Sequence, residues 1–340
     1  MLKPTDKKWR LFRAWASRHP VWCAWQVTYR CNFRCRFCGY WRDPMGMKPE
    51  PTVGEIAEGS RKLASFGTLL ISLAGGEPML RTDLPEIVEA VGRHHFPFVT
   101  TNGWFVTPQS AKELMRAGVW GVSVSIDYAD PQCHDQRRGA DGAWEYAWRA
   151  VELLSAARVH KWQRVNVITV LMDDNIEQLP DLLSMAAERD AYFMVQPYGH
   201  LKTGSHAFEH NDGAVSPRLL RLRQRWPNFL SNPHYLSQFD RFLAGGVGGC
   251  KAGRAFFNID STGDVAVCVE RRNRPVANVF RHSGSQIHRR LRDASRGNPC
   301  RACWYNCRGE IESLYRPYGL LKSLPTLLLD RGRAPVRNKD

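Results

Sequence analysis

The stretch Cys31-Asn32-Phe33-Arg34-Cys35-Arg36-Phe37-Cys38 sets three cysteines at C-x3-C-x2-C, directly after an apolar, aromatic run at 21–27. A loop this short lets three sulfurs converge on one side of a single inorganic object. A cubane [4Fe-4S] cluster has four iron corners and is normally held by four cysteines, so three thiolates leave one iron open to a ligand from outside the chain. The next cysteine is Cys133, which is too distant for a plain ferredoxin run. A zinc ribbon needs two C-x2-C pairs. Cys35/Cys38 with Cys300/Cys303 would supply them, at the cost of orphaning Cys31, Cys250, Cys268 and Cys307.

At 340 residues and 43% hydrophobic, the chain is long enough for one large domain and a smaller one. Strand-like apolar runs recur at 22–28, 68–73, 96–100, 120–126, 165–171 and 191–196, with helix-like segments between them. Thr52-Val53-Gly54-Glu55 reads as a capping box, and Thr107-Pro108 with Gly118 gives an N-cap, a first-turn proline and a stop. Six β/α units with strands apolar on both faces predict a parallel sheet covered by helices. In such folds ligands gather at the C-terminal ends of the strands.

The polar residues sit at those ends. Gly75-Gly76-Glu77-Pro78 follows the second run: glycines permit close backbone approach to a ligand, and a carboxylate can accept hydrogen bonds from an ammonium group. Thr100-Thr101-Asn102-Gly103 follows the third. Ser123-Val124-Ser125-Ile126-Asp127 and His134-Asp135-Gln136-Arg137-Arg138-Gly139 follow the fourth, and Gln196-Pro197-Tyr198 the sixth. Together with the three-cysteine loop and the aromatic Phe37 before its last cysteine, the pattern resembles the radical S-adenosylmethionine (radical SAM) enzymes.

That resemblance implies an α/β fold, an open partial (β/α)6 TIM barrel over about 21–200. It implies that Cys31, Cys35 and Cys38 hold a [4Fe-4S] cluster whose open iron chelates the amino and carboxylate groups of SAM. Reductive cleavage then gives methionine and a 5'-deoxyadenosyl radical, which abstracts hydrogen from a substrate. Gly75, Gly76, Glu77 and Pro78 are expected around the SAM amino group, Ser125 on the ribose and Arg138 on the SAM carboxylate, with Asn102 and Asp127 completing the rim. The plain alternative for Arg138 is a surface ion pair. Arg30, Arg34 and Arg36 either favour the reduced cluster through their charge or are solvated.

The cysteines return after residue 247. Cys250, Gly263 and Cys268 give C-x12-G-x4-C, a hairpin presenting a thiolate from each arm, and Cys300-x2-Cys303-x3-Cys307 closes the set. This resembles the SPASM/twitch extension of radical SAM enzymes, which carries auxiliary [4Fe-4S] clusters. A full SPASM domain uses more cysteines for two clusters, and none follows Cys307. The expectation is a shortened, twitch-like domain with one auxiliary [4Fe-4S] cluster on Cys250, Cys268, Cys300 and Cys303, Cys307 being spare or a substitute. Zinc on four of the five thiolates stays open, since the set suits either metal. Cys23 reads as strand core, and Cys133 has no partner in the pattern.

The net charge of +15 lies mostly at the two ends. Residues 1–30 carry seven basic side chains against one acid, and residues 313–340 six against two. Residues 7–16 read as a short basic helix with Leu11, Phe12 and Trp15 on one side, suited either to an anionic bilayer surface or to capping the next domain. The tail repeats that theme. No run of 18 apolar residues and no signal-peptide core is present, and cysteines at metal spacings point to a reducing cytoplasm, with the ends touching the inner face of the membrane. The expected division is an extension at 1–20, a radical SAM core at 21–215, a helical linker at 216–247, the auxiliary domain at 248–312 and a tail at 313–340.

The substrate lies beyond these motifs. The first expectation is a lipid or lipid-linked metabolite reached from the membrane, because the first twenty residues leave no room for a winged-helix recognition domain. The alternative is a ribosomal peptide or protein side chain. A third reading is an iron–sulfur scaffold that only transfers electrons, for which the Gly75 to Pro78 motif has no use. Flavodoxin or ferredoxin is the expected reductant, and no nucleic acid is expected as a partner.

Overall fold

The computed structural model describes residues 3–210 and 213–315. Six strands, β1 (Trp22–Thr28), β2 (Leu70–Gly75), β3 (Phe96–Thr101), β4 (Gly121–Ser125), β5 (Arg164–Leu171) and β6 (Tyr192–Pro197), pair in parallel in chain order. The helices of the β/α units are α2 (Val53–Leu63), α3 (Leu84–Gly92), α4 (Pro108–Arg116), α5 (Pro131–Arg138), α6 (Ala143–Ala156) and α7 (Leu179–Glu188), with α1 (Pro4–Ala16) ahead of them. The expected caps form. Thr52 Oγ1 accepts from Glu55 N at 3.2 Å while Glu55 Oε2 accepts from Thr52 N at 2.8 Å. Thr107 caps α4 and Pro108 opens it.

Only the helix-covered face of the sheet is apolar throughout; contrary to the expectation of strands apolar on both faces, the lumen face carries Gln26, Ser72, Thr100, Ser123, Asn166 and Gln196 among its apolar residues, because it lines a cavity. Trp25, Ile71, Val99, Val122, Val167 and Phe193 are all fully buried, and Cys23 packs among them as strand core. Each such side chain contributes about 1.5–3 kcal/mol.

The sheet continues past the barrel. β7 (Phe256–Ile259) lies parallel to β1, Trp22 to Trp25 facing Phe256 to Ile259, and β8 (Asp264–Ala266) and β9 (Ala277–Asn278) follow antiparallel. The order is β6-β5-β4-β3-β2-β1-β7-β8-β9, an open sheet of nine strands. The cysteine hairpin therefore occupies the free edge of β1, which needs a partner for its ladder groups. Residues 216–247, expected as a linker, instead feed the core: α8 (Val215–Arg225), α9 (Pro233–Leu236) and α10 (Phe239–Leu243) bury Leu219, Tyr235, Leu236 and Phe239. Beyond α11 (Gly284–Ala294), α12 (Asn306–Ser313) packs against α9, β1 and β7.

The basic side of α1 does not all face solvent, contrary to its reading from sequence. Lys7 is buried, donating to Gly92 O and, at 3.2 Å, to His95 O, so its ammonium meets the carbonyl end of α3. Arg10 reaches Ala64 O at 3.0 Å. Trp15 packs on Tyr315, and Trp9 and Phe12 stay exposed. The basic tail beyond Tyr315 lies outside the described residues. Among the described residues, no helix is long and apolar enough to cross a membrane.

Candidate active site

A cavity of about 500 Å³ runs through the barrel, with Cys31, Cys35 and Cys38 at one end and Cys307, Glu310 and Leu314 from the auxiliary region along its wall. Gly75, Gly76, Glu77, Asn102, Ser125 and Arg138 also face it, as do Gln196 and Tyr198 from the end of β6. The fold thus brings together most residues that the sequence singled out. Pro78 and Asp127 do not line the cavity, and neither do Cys250, Cys268, Cys300 and Cys303 of the second cysteine set.

Gly75 and Gly76 face the cavity and also serve strand packing. A Cβ on Gly75 would stand 1.9 Å from Thr28 O, so this glycine lets β2 press on the strand that leads into the cysteine loop. Gly76 N donates to Thr28 O at 2.9 Å and Glu77 N to Arg30 O at 2.8 Å, pinning the start of that loop. The Glu77 carboxylate is fully buried and accepts from Thr101 Oγ1 at 2.7 Å, Asn102 N at 2.6 Å and Met79 N at 2.9 Å. Three of its roughly four acceptor positions are filled, leaving about one for an ammonium group. Glu77 is first a brace between β2 and β3. Burial raises this carboxyl, against those three donors and Arg138.

Arg138 is no surface ion pair. Its Nε and Nη2 donate to Asp127 Oδ2 at 2.8 and 2.6 Å, with both residues buried, and its guanidinium lies 5.3 Å from the centre of the Phe37 ring. Asp127 also accepts from Val170 N at 2.9 Å. Its role is to hold Arg138 against the cysteine loop, which corrects its expected place on the ligand. Asn102 ties the same loop down through Asn32, Nδ2 to Oδ1 at 2.8 Å. Arg30 pairs with Glu50 at 2.8 Å, and Arg34 donates to Cys31 O at 2.9 Å, so these two are spent on local structure; Arg36 is exposed.

The three thiols suit a cluster. All three face one cavity, and burial pushes Cys31 up to about 11 and Cys35 up to about 12, so as free thiols they stay protonated. A cluster that binds these thiols must displace those protons, so its assembly releases protons and weakens as pH falls. In the second set, burial pushes Cys250 up to about 12 and Cys268 and Cys303 each up to about 11. Among the described residues no three cysteine sulfurs lie within 4.8 Å of one another. Tetrahedral zinc with Zn–S near 2.3 Å would draw its thiolates to roughly 3.8 Å apart. Four thiolates suit either metal, and iron content and colour tell the two apart.

Cys307, expected as the spare, lies on the cavity wall with Cys303 and Cys268 among its nearest charges. Arg308, which sequence reasoning passed over, is fully buried beneath this set. It donates to Cys303 O at 2.7 Å and to Glu312 Oε1 at 3.1 Å. Its place directly after the last cysteine was a visible signal, but arginine beside a cysteine is usually solvated.

Residues 25–186 match the Radical SAM superfamily model. The chain holds a radical SAM domain. Across 85% of this chain and 77% of the relative, it is 27% identical to the mycofactocin maturase MftC of Mycolicibacterium smegmatis. It is 31% identical to the AdoMet-dependent heme synthase of Oleidesulfovibrio alaskensis, over 52% of this chain and 46% of that one. The structure of Streptococcus suis SuiB bound to precursor peptide SuiA shares the fold with a TM-score of 0.65 at 17% identity. That match covers 78% of this chain and 64% of SuiB, so the chain spans less than two thirds of its neighbour.

A radical SAM domain uses a [4Fe-4S] cluster and SAM; here Cys31, Cys35 and Cys38 would hold that cluster, and the second cysteine set would hold an auxiliary one. When bound, the barrel cluster and SAM supply the radical chemistry; the chain's own residues bind, orient and shield.

Proposed function

We propose that this enzyme is a maturase whose substrate is a peptide. The observation that carries this reading is the likeness to a maturase across both the barrel and the cysteine-rich region, where the match to the heme synthase covers only 52% of the chain. The cavity agrees with it: it runs from the three-cysteine loop to Cys307 of the second set and mixes apolar and polar side chains from β1 to β6, room for an inserted side chain and donors to hold its backbone. The maturase likeness reverses the preference for a lipid drawn from the short N-terminal segment. We also propose Cys250, Cys268, Cys303 and Cys307 as the auxiliary ligands, with Cys300 spare, because Cys307 lies on the cavity wall with Cys303 and Cys268 beside it.

The test is anaerobic incubation of the reconstituted protein with SAM, a low-potential reductant and short peptides encoded beside its gene. A mass change in a peptide that tracks 5'-deoxyadenosine supports the proposal. SAM cleavage stimulated by lipid extract and by none of the peptides overturns it.

A second reading concerns location. Trp9 and Phe12 stack at 5.6 Å with 60% and 47% of their surfaces exposed, an aromatic pair suited to the headgroup region of an anionic bilayer. Salt-sensitive co-sedimentation with anionic liposomes, lost in W9A/F12A, supports it; equal behaviour of the variant removes it.

A further inference from the structure

The turn after β6 gathers two imidazoles and a carboxylate beside the cavity mouth. His200 Nδ1 stands 2.8 Å from Glu209 Oε1, His206 Nδ1 stands 2.7 Å from Glu209 Oε2, and the two rings stack with centroids 4.2 Å apart. Their ligand atoms all lie within 4.8 Å of one another, and no other trio of His, Cys, Asp or Glu among the described residues does so. The turn that presents them is held by its own bonds. Tyr198 Oη meets Thr203 Oγ1 at 2.5 Å and donates to Ser205 O at 2.9 Å, and Glu209 N donates to His206 O at 3.0 Å.

The chemistry of the donors fits a cation. Two imidazole nitrogens and a carboxylate suit zinc and its first-row neighbours, whereas calcium and magnesium want oxygen alone. His206 is 69% exposed at its side chain and His200 38%, so an ion can arrive from solvent and keep a water as a further ligand.

We propose that His200, His206 and Glu209 bind a divalent first-row cation of the zinc type, separate from both cysteine sets, as a clasp on the turn that joins them. The turn's position gives the clasp its effect. Lys202 reaches Glu270 in the auxiliary region at 2.8 Å, and its carbonyl oxygen lies 2.5 Å from where Gly39 would carry a Cβ, so no side chain fits between the turn and the cysteine loop. Gly199 packs on Tyr305. A cation tying residue 200 to 206 and 209 closes the free side of this turn, and with it the seam between the two cysteine regions.

The experiment is zinc titration of the full-length, cluster-loaded protein under anaerobic conditions against a chromophoric chelator, comparing wild type with H206A and E209Q. His206 is exposed, so H206A keeps the fold. The expected result is one zinc per chain in wild type, weakened in both variants by more than the roughly 10–100-fold that losing an outer partner of a metal ligand costs. Zinc held by stray thiols survives both substitutions and is thereby told apart. Hydrogen exchange over 199–209 should slow on adding zinc to wild type and stay unchanged in H206A. Equal zinc binding in all three proteins, or no zinc bound by wild type, overturns the proposal and leaves the trio as a hydrogen-bonded ion pair.

Discussion

Lys202 Nζ lies 2.8 Å from Glu270 Oε1, and this half-buried ion pair joins the end of the barrel to the auxiliary region. The ammonium stands 5.4 Å from the centre of the Tyr40 ring, two residues after Cys38, and 4.8 Å from that of Tyr305, two residues before Cys307. Burial alone would lower this lysine, but Tyr40, Glu270 and Tyr305 raise it, so it stays charged. A half-buried cation thus stands between the two cysteine sets.

Removing that charge should be felt by the auxiliary cluster. Reduction adds an electron, and a nearby cation favours the reduced form. K202M is therefore expected to move the auxiliary potential to more negative values, read by potentiometric electron paramagnetic resonance in a background lacking Cys31, Cys35 and Cys38. An unchanged potential would mean that Glu270 already screens the lysine completely.

The ligand assignment has its own signature in iron content. Two cubanes give about eight irons per chain. C35A should fall to about four and lose SAM cleavage altogether. C307A should also fall to about four, while C300A keeps about eight; the reverse order for the last two would return Cys300 to the ligand set.

Much of this was legible in the sequence because it follows local rules. The run at 22–28 became β1 residue for residue, and the caps at Thr52 and Thr107 formed as their spacing requires. Cysteine spacing singled out both cysteine regions. What sequence hid were relationships between residues far apart in the chain. Asp127 and Arg138 read as two separate ligand contacts, and only the turn into α5 shows that one holds the other. Lys202 had no signal at all, since its partners come from residues 40, 270 and 305. Gly75 read as space for a ligand, and it also gives room to the neighbouring strand.

The Asp127–Arg138 pair makes a sharp prediction about stability. Both side chains are shielded from water, with 0% and 8% exposed, so removing the carboxylate strands a buried guanidinium. Breaking such a pair costs about 3–5 kcal/mol, while replacing both partners by apolar residues is often nearly neutral. D127N should therefore lower the thermal midpoint and weaken SAM binding, and D127L/R138M should recover much of the stability without recovering the binding. Full SAM affinity in the double variant would remove Arg138 from the ligand site.

Glu310 gives the pH dependence. It lies on α12, faces the cavity and accepts from Asn232 N at 3.1 Å. Burial raises its carboxyl to about 7, against the pull of Asn232, Ser231 and Arg223. A carboxyl raised on folding binds more protons in the native state than in the unfolded one, so its contribution to stability is complete below the unfolded value near 4.5 and is lost as pH rises toward 7. E310Q removes the titrating group and keeps the shape. Relative to wild type, E310Q should thus be more stable at pH 8 than at pH 5, with the difference in thermal midpoint growing between about pH 4.5 and 7. A difference that stays flat across that range would show that Glu310 is ionised throughout, paired with Arg223 and open to the water of the cavity.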